Sequence, residues 1–109
     1  LVYVEIPETL EVLPPKAFKG CTKLEEVKFP ATFDKVSESA FENCSKLEKI
    51  TFLSQDNVII EKFAFASTGL EQIDLSSVTQ LGEGAFKNCS KMSLFVNVNF
   101  FCCSYSGTI

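Results

Sequence analysis

The sequence predicts an α/β solenoid, with a parallel β-sheet on its concave side and short helices on its convex side. The first observation behind this prediction is a repeated sequence motif. AFENCSKLEKITF at 40–52 closely matches AFKGCTKLEEVKF at 17–29, and AFKNCSKM at 85–92 is a shorter copy. The second observation is a constant spacing between short alternating segments. One repeat of this length cannot bury its apolar face alone, so neighbouring repeats must stack.

The predicted strands are short segments in which apolar and polar side chains alternate. They occupy 3–6, 26–29, 49–52, 72–75 and 95–98, and each starts 23 residues after the one before. This spacing fixes a register, because a slip of one residue would turn the buried side chains toward solvent. The predicted inward columns are Val4, Val27, Ile50, Ile73 and Val96, and Ile6, Phe29, Phe52, Leu75 and Val98.

Each predicted helix is about two turns long and contains an Ala-Phe pair. The residues before the pairs, either two prolines or serine or glycine followed by glutamate, are suited to a helix start. The phenylalanines are Phe18, Phe41, Phe65 and Phe86. We expect them to stack as an aromatic spine between the sheet and the helices. A later slot in each repeat holds Gly20, Asn43, Ser67 and Asn88. Glycine and asparagine in one slot predict a left-handed backbone that ends the helix.

The composition excludes several classes of function. The chain has 109 residues, 46% of them hydrophobic, and a net charge of −4, which fits one small globular domain. Its apolar runs are far shorter than the roughly 20 residues that cross a bilayer, and residues 1–6 lack the basic start of a signal peptide. Basic residues are scattered singly. We therefore expect neither membrane insertion by this segment nor binding to nucleic acid.

The sequence offers no catalytic constellation and no cofactor or metal site. It contains no histidine, and histidine is the commonest general base and metal ligand. Cys21, Cys44 and Cys89 occupy one repeat slot that holds Thr68 in the third copy. This pattern favours a buried packing column over a metal site or a nucleophile. The pair Cys102-Cys103 lies outside the repeat, where a redox or disulfide role stays open.

Two short stretches match the acceptor pattern for N-glycosylation. They are Asn43-Cys44-Ser45 and Asn88-Cys89-Ser90. The alternative, which we favour, is that each asparagine supplies the left-handed turn that Gly20 supplies in the first copy.

The pattern AFxxCxxLxxIxF, with FDKVSESAF at 33–41 and VTQLGEGAF at 78–86 between its copies, resembles the BspA-like leucine-rich repeat family. The resemblance extends to about Val98. It implies a leucine-rich repeat solenoid, and it implies kinship with surface adhesins of bacteria and protozoan parasites that bind host matrix proteins or other cells. It carries over no catalytic residues. The third copy lacks the cysteine and one further residue, and 100–109 leave the pattern.

The outward positions of the predicted strands form a surface that we call the sheet face. Its residues are Tyr3, Glu5, Glu26, Lys28, Lys49, Thr51, Gln72, Asp74, Phe95 and Asn97. Solenoids commonly bind partners on such a surface. We therefore expect a non-enzymatic adhesion module that is secreted or on the cell surface and binds a host matrix or cell-surface protein there. The alternative is a cytoplasmic scaffold piece packed into a larger assembly.

We expect residues 1–109 to form one solenoid domain of about four and a half repeats, as a fragment of a longer array. The first repeat would then be uncovered, which favours end-to-end self-association. Residues 99–109 supply no further Ala-Phe pair and predict an irregular cap on the last repeat. The apolar residues of this predicted cap are Phe100, Phe101, Tyr105 and Ile109.

Overall fold

A computed structural model describes residues 2–53, 57–92 and 94–96 of the chain. The strands in these ranges are Val2–Glu5 (β1), Val12–Leu13 (β2), Leu24–Phe29 (β3), Lys35–Val36 (β4), Lys49–Phe52 (β5), Val58–Ile60 (β6), Gln72–Asp74 (β7), Val78–Leu81 (β8) and Leu94–Val96 (β9). Each strand pairing between them is parallel. The predicted parallel solenoid is therefore confirmed. The predicted cap at 99–109, the pair Cys102-Cys103 and the site residue Asn97 lie outside the described residues.

The predicted sheet is divided in two. Among the described residues, strands β1, β3 and β5 form a three-stranded sheet, whereas β7 pairs with β9 alone. Strand β5 lies beside β7 but is not paired with it in one sheet. The prediction of one continuous five-stranded sheet is therefore wrong within the described residues. The division falls where the third copy of the repeat is one residue short, since Gln72 follows Ala64 by eight residues and Lys49 follows Ala40 by nine.

The predicted register holds for the first three strands and fails at the last. Tyr3 aligns with Glu26, and Glu26 aligns with Lys49. At the far end Gln72 aligns with Leu94 rather than with Phe95, a step of 22 residues instead of 23. Leu94 follows Ala85 by nine residues, as Lys49 follows Ala40. Strand β9 therefore keeps the usual distance from its turn, whereas β7 starts one residue closer to its own turn.

A second parallel sheet, which we did not predict, runs along another side of the solenoid. It consists of β2, β4, β6 and β8. The sequence carries a signal for it, because an apolar residue stands four positions before the alanine of every Ala-Phe pair. These residues are Leu13, Val36, Ile60 and Leu81, and all four are buried.

The convex side carries six-residue turns where we predicted short helices, and no helix occurs among the described residues. The turns occupy 15–20, 38–43, 62–67 and 83–88. Their second residues have positive φ angles between 56° and 66°, at Lys16, Ser39, Phe63 and Gly84. A left-handed residue at this point ends any helical run before one turn is complete. The predicted left-handed backbone at the later slot is confirmed, with φ of 77° at Gly20 and 66° at Asn43.

Backbone N–H groups in these turns alternate between two kinds of acceptor. In the second turn, the N–H groups of Ala40 and Glu42 donate to carbonyls three residues earlier in the chain, those of Ser37 and Ser39. We call each successive repeat of the solenoid a coil. The N–H group of Phe41, which lies between Ala40 and Glu42, donates to the carbonyl of Ala64 in the next coil at 2.8 Å. Neighbouring coils are therefore hydrogen-bonded along the turns as well as along both sheets.

The aromatic spine is confirmed. Its rings are stacked nearly parallel, with centroids 5.2 Å apart from Phe18 to Phe41, 5.2 Å from Phe41 to Phe65 and 5.6 Å from Phe65 to Phe86. Phe41, Phe65 and Phe86 are buried, and Phe18 is half-buried in the first coil. The spine packs against the inward columns of the sheets, where Val27 and Phe29 are fully buried.

Candidate functional site

The strands bring the sheet face together as two rows across the first sheet. Tyr3, Glu26 and Lys49 are aligned in one row. Glu5, Lys28 and Thr51 are aligned in the next. Because the side chains of a strand alternate, the buried residues between these positions hold both rows on the opposite face from the core.

Charge alternates along these rows. Glu26 stands between Tyr3 and Lys49, and Glu5 stands directly across from Lys28. Opposite charges on directly opposed strand positions attract each other weakly. The exposed members of the face include Tyr3, Glu5 and Lys49, whereas Glu26, Lys28 and Thr51 are half-buried by the strands on either side. The described rows of the face are polar and at least partly accessible.

Tyr3 is the aromatic member of the face whose environment is defined. Its side chain is 45% exposed, and its hydroxyl donates a hydrogen bond to Oε1 of Glu5 at 3.4 Å. Partial desolvation raises the pKa of the phenol above its ordinary value. The negative charge of Glu5, the hydrogen bond to it and the charge of Glu26 raise that pKa further. The Tyr3 hydroxyl thus lies beside the Glu5 carboxylate at the edge of the face.

The other predicted members of the face are less well joined to it. Gln72 and Asp74 are exposed on β7, and β7 is not paired with β5. Phe95 aligns with the buried Ile73 instead of with Gln72. The prediction that Phe95 continues the row of Gln72 is therefore wrong in register.

The cysteine slot differs from one coil to the next. Cys44 is buried, Cys89 is half-buried and Cys21 is exposed. The Cys44 thiol donates a hydrogen bond to the carbonyl of Phe18 at 3.0 Å, and burial raises its pKa to about 11. Cys44 thus packs in the core as predicted, whereas the prediction of a buried position is wrong for Cys21. Within the described ranges, no group of three or more cysteine, histidine and acidic side chains could hold a metal ion.

A cleft lies between the second sheet and the convex turns, and the sequence did not predict it. Its volume is about 530 Å³, and Glu38, Glu61, Lys62 and Glu83 contribute charged side chains to its lining. Glu61 joins neighbouring coils there, since its carboxylate lies 3.0 Å from Nζ of Lys35 and accepts the N–H of Glu38 at 3.1 Å. The two carboxylate oxygens of Glu61 therefore contact Lys35 and the backbone of Glu38, both of which belong to the preceding coil.

No helix in the described part of the chain has the length and apolar character needed to cross a membrane.

Comparisons with solved structures show the same fold. A leucine-rich repeat protein of T. pallidum has 20% identity and a TM-score of 0.62, and the match covers 89% of this chain and 70% of that one. A leucine-rich cell surface protein of Faecalibacterium prausnitzii A2-165 has 24% identity and a TM-score of 0.56, with 87% of this chain and 38% of that one covered. A leucine-rich repeat protein of Bacteroides ovatus ATCC 8483 has 28% identity and a TM-score of 0.56, with 87% and 33% covered.

Sequence comparison identifies the family. No protein of curated function matches the chain. The family described as BspA type leucine rich repeat region, of six copies, matches residues 1–102. The resemblance based on the repeated sequence motif is thereby confirmed, and the chain belongs to the BspA-type leucine-rich repeat family.

Proposed function

We propose that this chain is a non-enzymatic adhesion module that binds a host matrix or cell-surface protein through the sheet face. The observation that carries the proposal is the pair of polar rows on β1, β3 and β5, whose positions are fixed by hydrogen-bonded strands. Leucine-rich repeat families generally supply protein-interaction modules and are typically non-enzymatic. A rigid surface of this kind binds without paying much ordering entropy.

The proposed location is the cell surface or the extracellular space. It is supported by the family and by the description of the Faecalibacterium structure as a cell surface protein. The chain spans 38% and 33% of the Faecalibacterium and Bacteroides chains, which favours a role as one section of a longer array. Labelling intact, unpermeabilised cells with an antibody to this chain tests the location. Labelling only after permeabilisation would favour a cytoplasmic scaffold instead.

Charge reversal on the sheet face tests the binding surface. We expect Lys28→Glu with Lys49→Glu to weaken binding to purified extracellular-matrix proteins at least tenfold, measured by surface plasmon resonance over a panel of them. The melting temperature should change little, because partly exposed charges contribute about 0–1 kcal/mol to stability.

The matched control is Lys16→Glu with Lys87→Glu, which makes the same charge change on exposed residues of the convex turns. We expect this control to bind normally. Loss of binding in the control with normal binding of the sheet-face variant would contradict the proposed surface. Absence of binding to every protein in the panel would contradict the proposed class of partner.

A further inference from the structure

One carbonyl oxygen brings the first two cysteines of the repeat slot together. The carbonyl of Phe18 accepts the Cys44 thiol of the second coil at 3.0 Å. The same carbonyl accepts the backbone N–H of Cys21 at 3.0 Å. The Cys44 sulfur therefore lies beside the backbone of Cys21 in the first coil.

The third and fourth coils show how closely side chains of this slot approach each other. Thr68 occupies in the third coil the repeat slot that Cys21 occupies in the first. Its hydroxyl donates to the carbonyl of Phe65 at 3.0 Å. The Cys89 thiol donates to that carbonyl from the following coil at 3.1 Å. Oγ1 of Thr68 and Sγ of Cys89 are consequently only 3.2 Å apart.

The same side-chain geometry is open to Cys21. A cysteine in the χ1 rotamer of Thr68 would place its sulfur next to the sulfur of the following coil. Hydrogen-bonded neighbouring chains lie about 4.8 Å apart, and this separation falls within the range of roughly 4.4–6.8 Å between the Cα atoms of disulfide-bonded cysteines. Cys21 is exposed, so a soluble oxidant can reach it.

We propose that Cys21 and Cys44 form a redox-active pair that closes to a disulfide between the first and second coils. The closed form fixes the coil that carries Tyr3 and Glu5 to the coil that carries Glu26 and Lys28. Oxidation would therefore fasten the edge of the sheet face to its centre.

A small-molecule disulfide such as oxidised glutathione can serve as the oxidant. The Cys21 thiolate attacks one sulfur of glutathione disulfide and releases one glutathione thiolate. Cys44 then loses its proton to water and attacks the Cys21 sulfur of the mixed disulfide, which releases the second glutathione. The protein loses two thiol hydrogens, and one glutathione disulfide is reduced to two glutathione thiols.

The two steps should depend differently on pH. Burial raises the pKa of the Cys44 thiol to about 11, although the nearby backbone N–H of Cys21, which donates to the carbonyl of Phe18, offsets part of this effect. Only a small fraction of Cys44 is thiolate near neutral pH, so the second step should be slow there and should accelerate as pH rises toward that value.

The experiment uses the full chain with Cys102→Ser and Cys103→Ser, incubated with oxidised glutathione under native conditions and analysed by mass spectrometry of proteolytic peptides. We expect a cross-link between Cys21 and Cys44 as the main product. We also expect the oxidised protein to unfold at a higher denaturant concentration than the reduced protein, because the link closes a loop. A glutathione adduct that persists on Cys21, or a chain that stays fully reduced, would overturn the proposal.

Two variants sharpen this experiment. Cys21→Ser should leave Cys44 unmodified under the same conditions, because Cys44 is buried. Thr68→Cys should create a second cross-link, to Cys89, from the 3.2 Å approach of the γ atoms. Formation of the engineered link without the native one would show that Cys21 does not adopt the required rotamer, and this result would also overturn the proposal.

Discussion

Phe41 is fully buried and contacts three other aromatic rings. Its ring lies between those of Phe18 and Phe65, 5.2 Å from each, and meets the ring of Phe29 edge-on at 6.0 Å. Aromatic pairs in such arrangements contribute beyond their buried area. The position of Phe41 could be predicted from the sequence because the same residue recurs in every copy. The contact of Phe29 with Phe52 follows from the predicted inward column. The contact of Phe29 with Phe33 could not be predicted, because the other repeats hold no aromatic residue at that position.

We expect Phe41→Ala to reduce the free energy of unfolding by about 3–5 kcal/mol, because it removes a large buried ring and leaves a cavity between two coils. Denaturant unfolding would measure the loss. Phe18→Ala is the control and should cost less, since Phe18 is only half-buried. A loss below about 1 kcal/mol for Phe41→Ala would contradict the stacked arrangement.

The turns are the elements that the sequence predicted least well. Proline and glutamate before the Ala-Phe pairs are ordinary helix-start residues, but the following left-handed position holds Lys16, Ser39, Phe63 and Gly84. Three of these four residue types rarely adopt positive φ. Their conformation is imposed by the hydrogen bonds to the next coil, so propensity alone could not reveal it.

The end of each turn was more predictable, and it provides a test. Asn43 is exposed and has a φ of 66°. Asn43→Val should reduce the free energy of unfolding by about 1–2 kcal/mol, because a branched side chain clashes with the backbone in the left-handed region. Asn43→Gly should stay within about 0.5 kcal/mol of the original chain, since Gly20 fills the same slot. Equal stability of the two variants in urea unfolding would contradict the left-handed turn.

The strand register predicted from the sequence is correct for part of the candidate site and wrong for the rest. The rows on β1, β3 and β5 were predicted correctly, because their repeats have the same number of residues between turn and strand. The prediction for Phe95 was wrong, because one residue is missing between the third turn and Gln72. The predicted position of β9 was 23 residues after β7, so the missing residue displaced it by one. Counting from Ala85 would have placed β9 correctly.

At the scale of the whole molecule, the turns determine how the coils stack. An α-helix is about 10 Å wide, whereas paired strands lie about 4.8 Å apart, so helices on the convex side would force the coils to fan apart. Turns that are hydrogen-bonded from coil to coil hold the convex side at nearly the spacing of the sheets. We therefore expect a flatter sheet face than in a solenoid with helices, and one that suits an extended or flat partner surface.

Circular dichroism provides a test of this architecture. The far-ultraviolet spectrum should show a β-type minimum without the paired minima of α-helix, because backbone hydrogen bonds within each described turn span three residues instead of four. The solvent trifluoroethanol, which induces helix, is the positive control for the chain. Substantial helical signal in buffer alone would contradict the turn assignment.

The bonding between turns also gives the solenoid an electrical polarity. Alternate peptide groups, such as the one joining Ala40 to Phe41, direct their carbonyl toward the preceding coil and their N–H toward the following coil. Dipoles in a β-sheet largely cancel, but these point the same way from coil to coil and add, as they do in a helix. The carbonyl end of each of these dipoles is its negative end, and it faces the preceding coil. Lys16 and Lys19 belong to the first described turn, so their ammonium groups lie toward the negative end of the backbone field of the described coils.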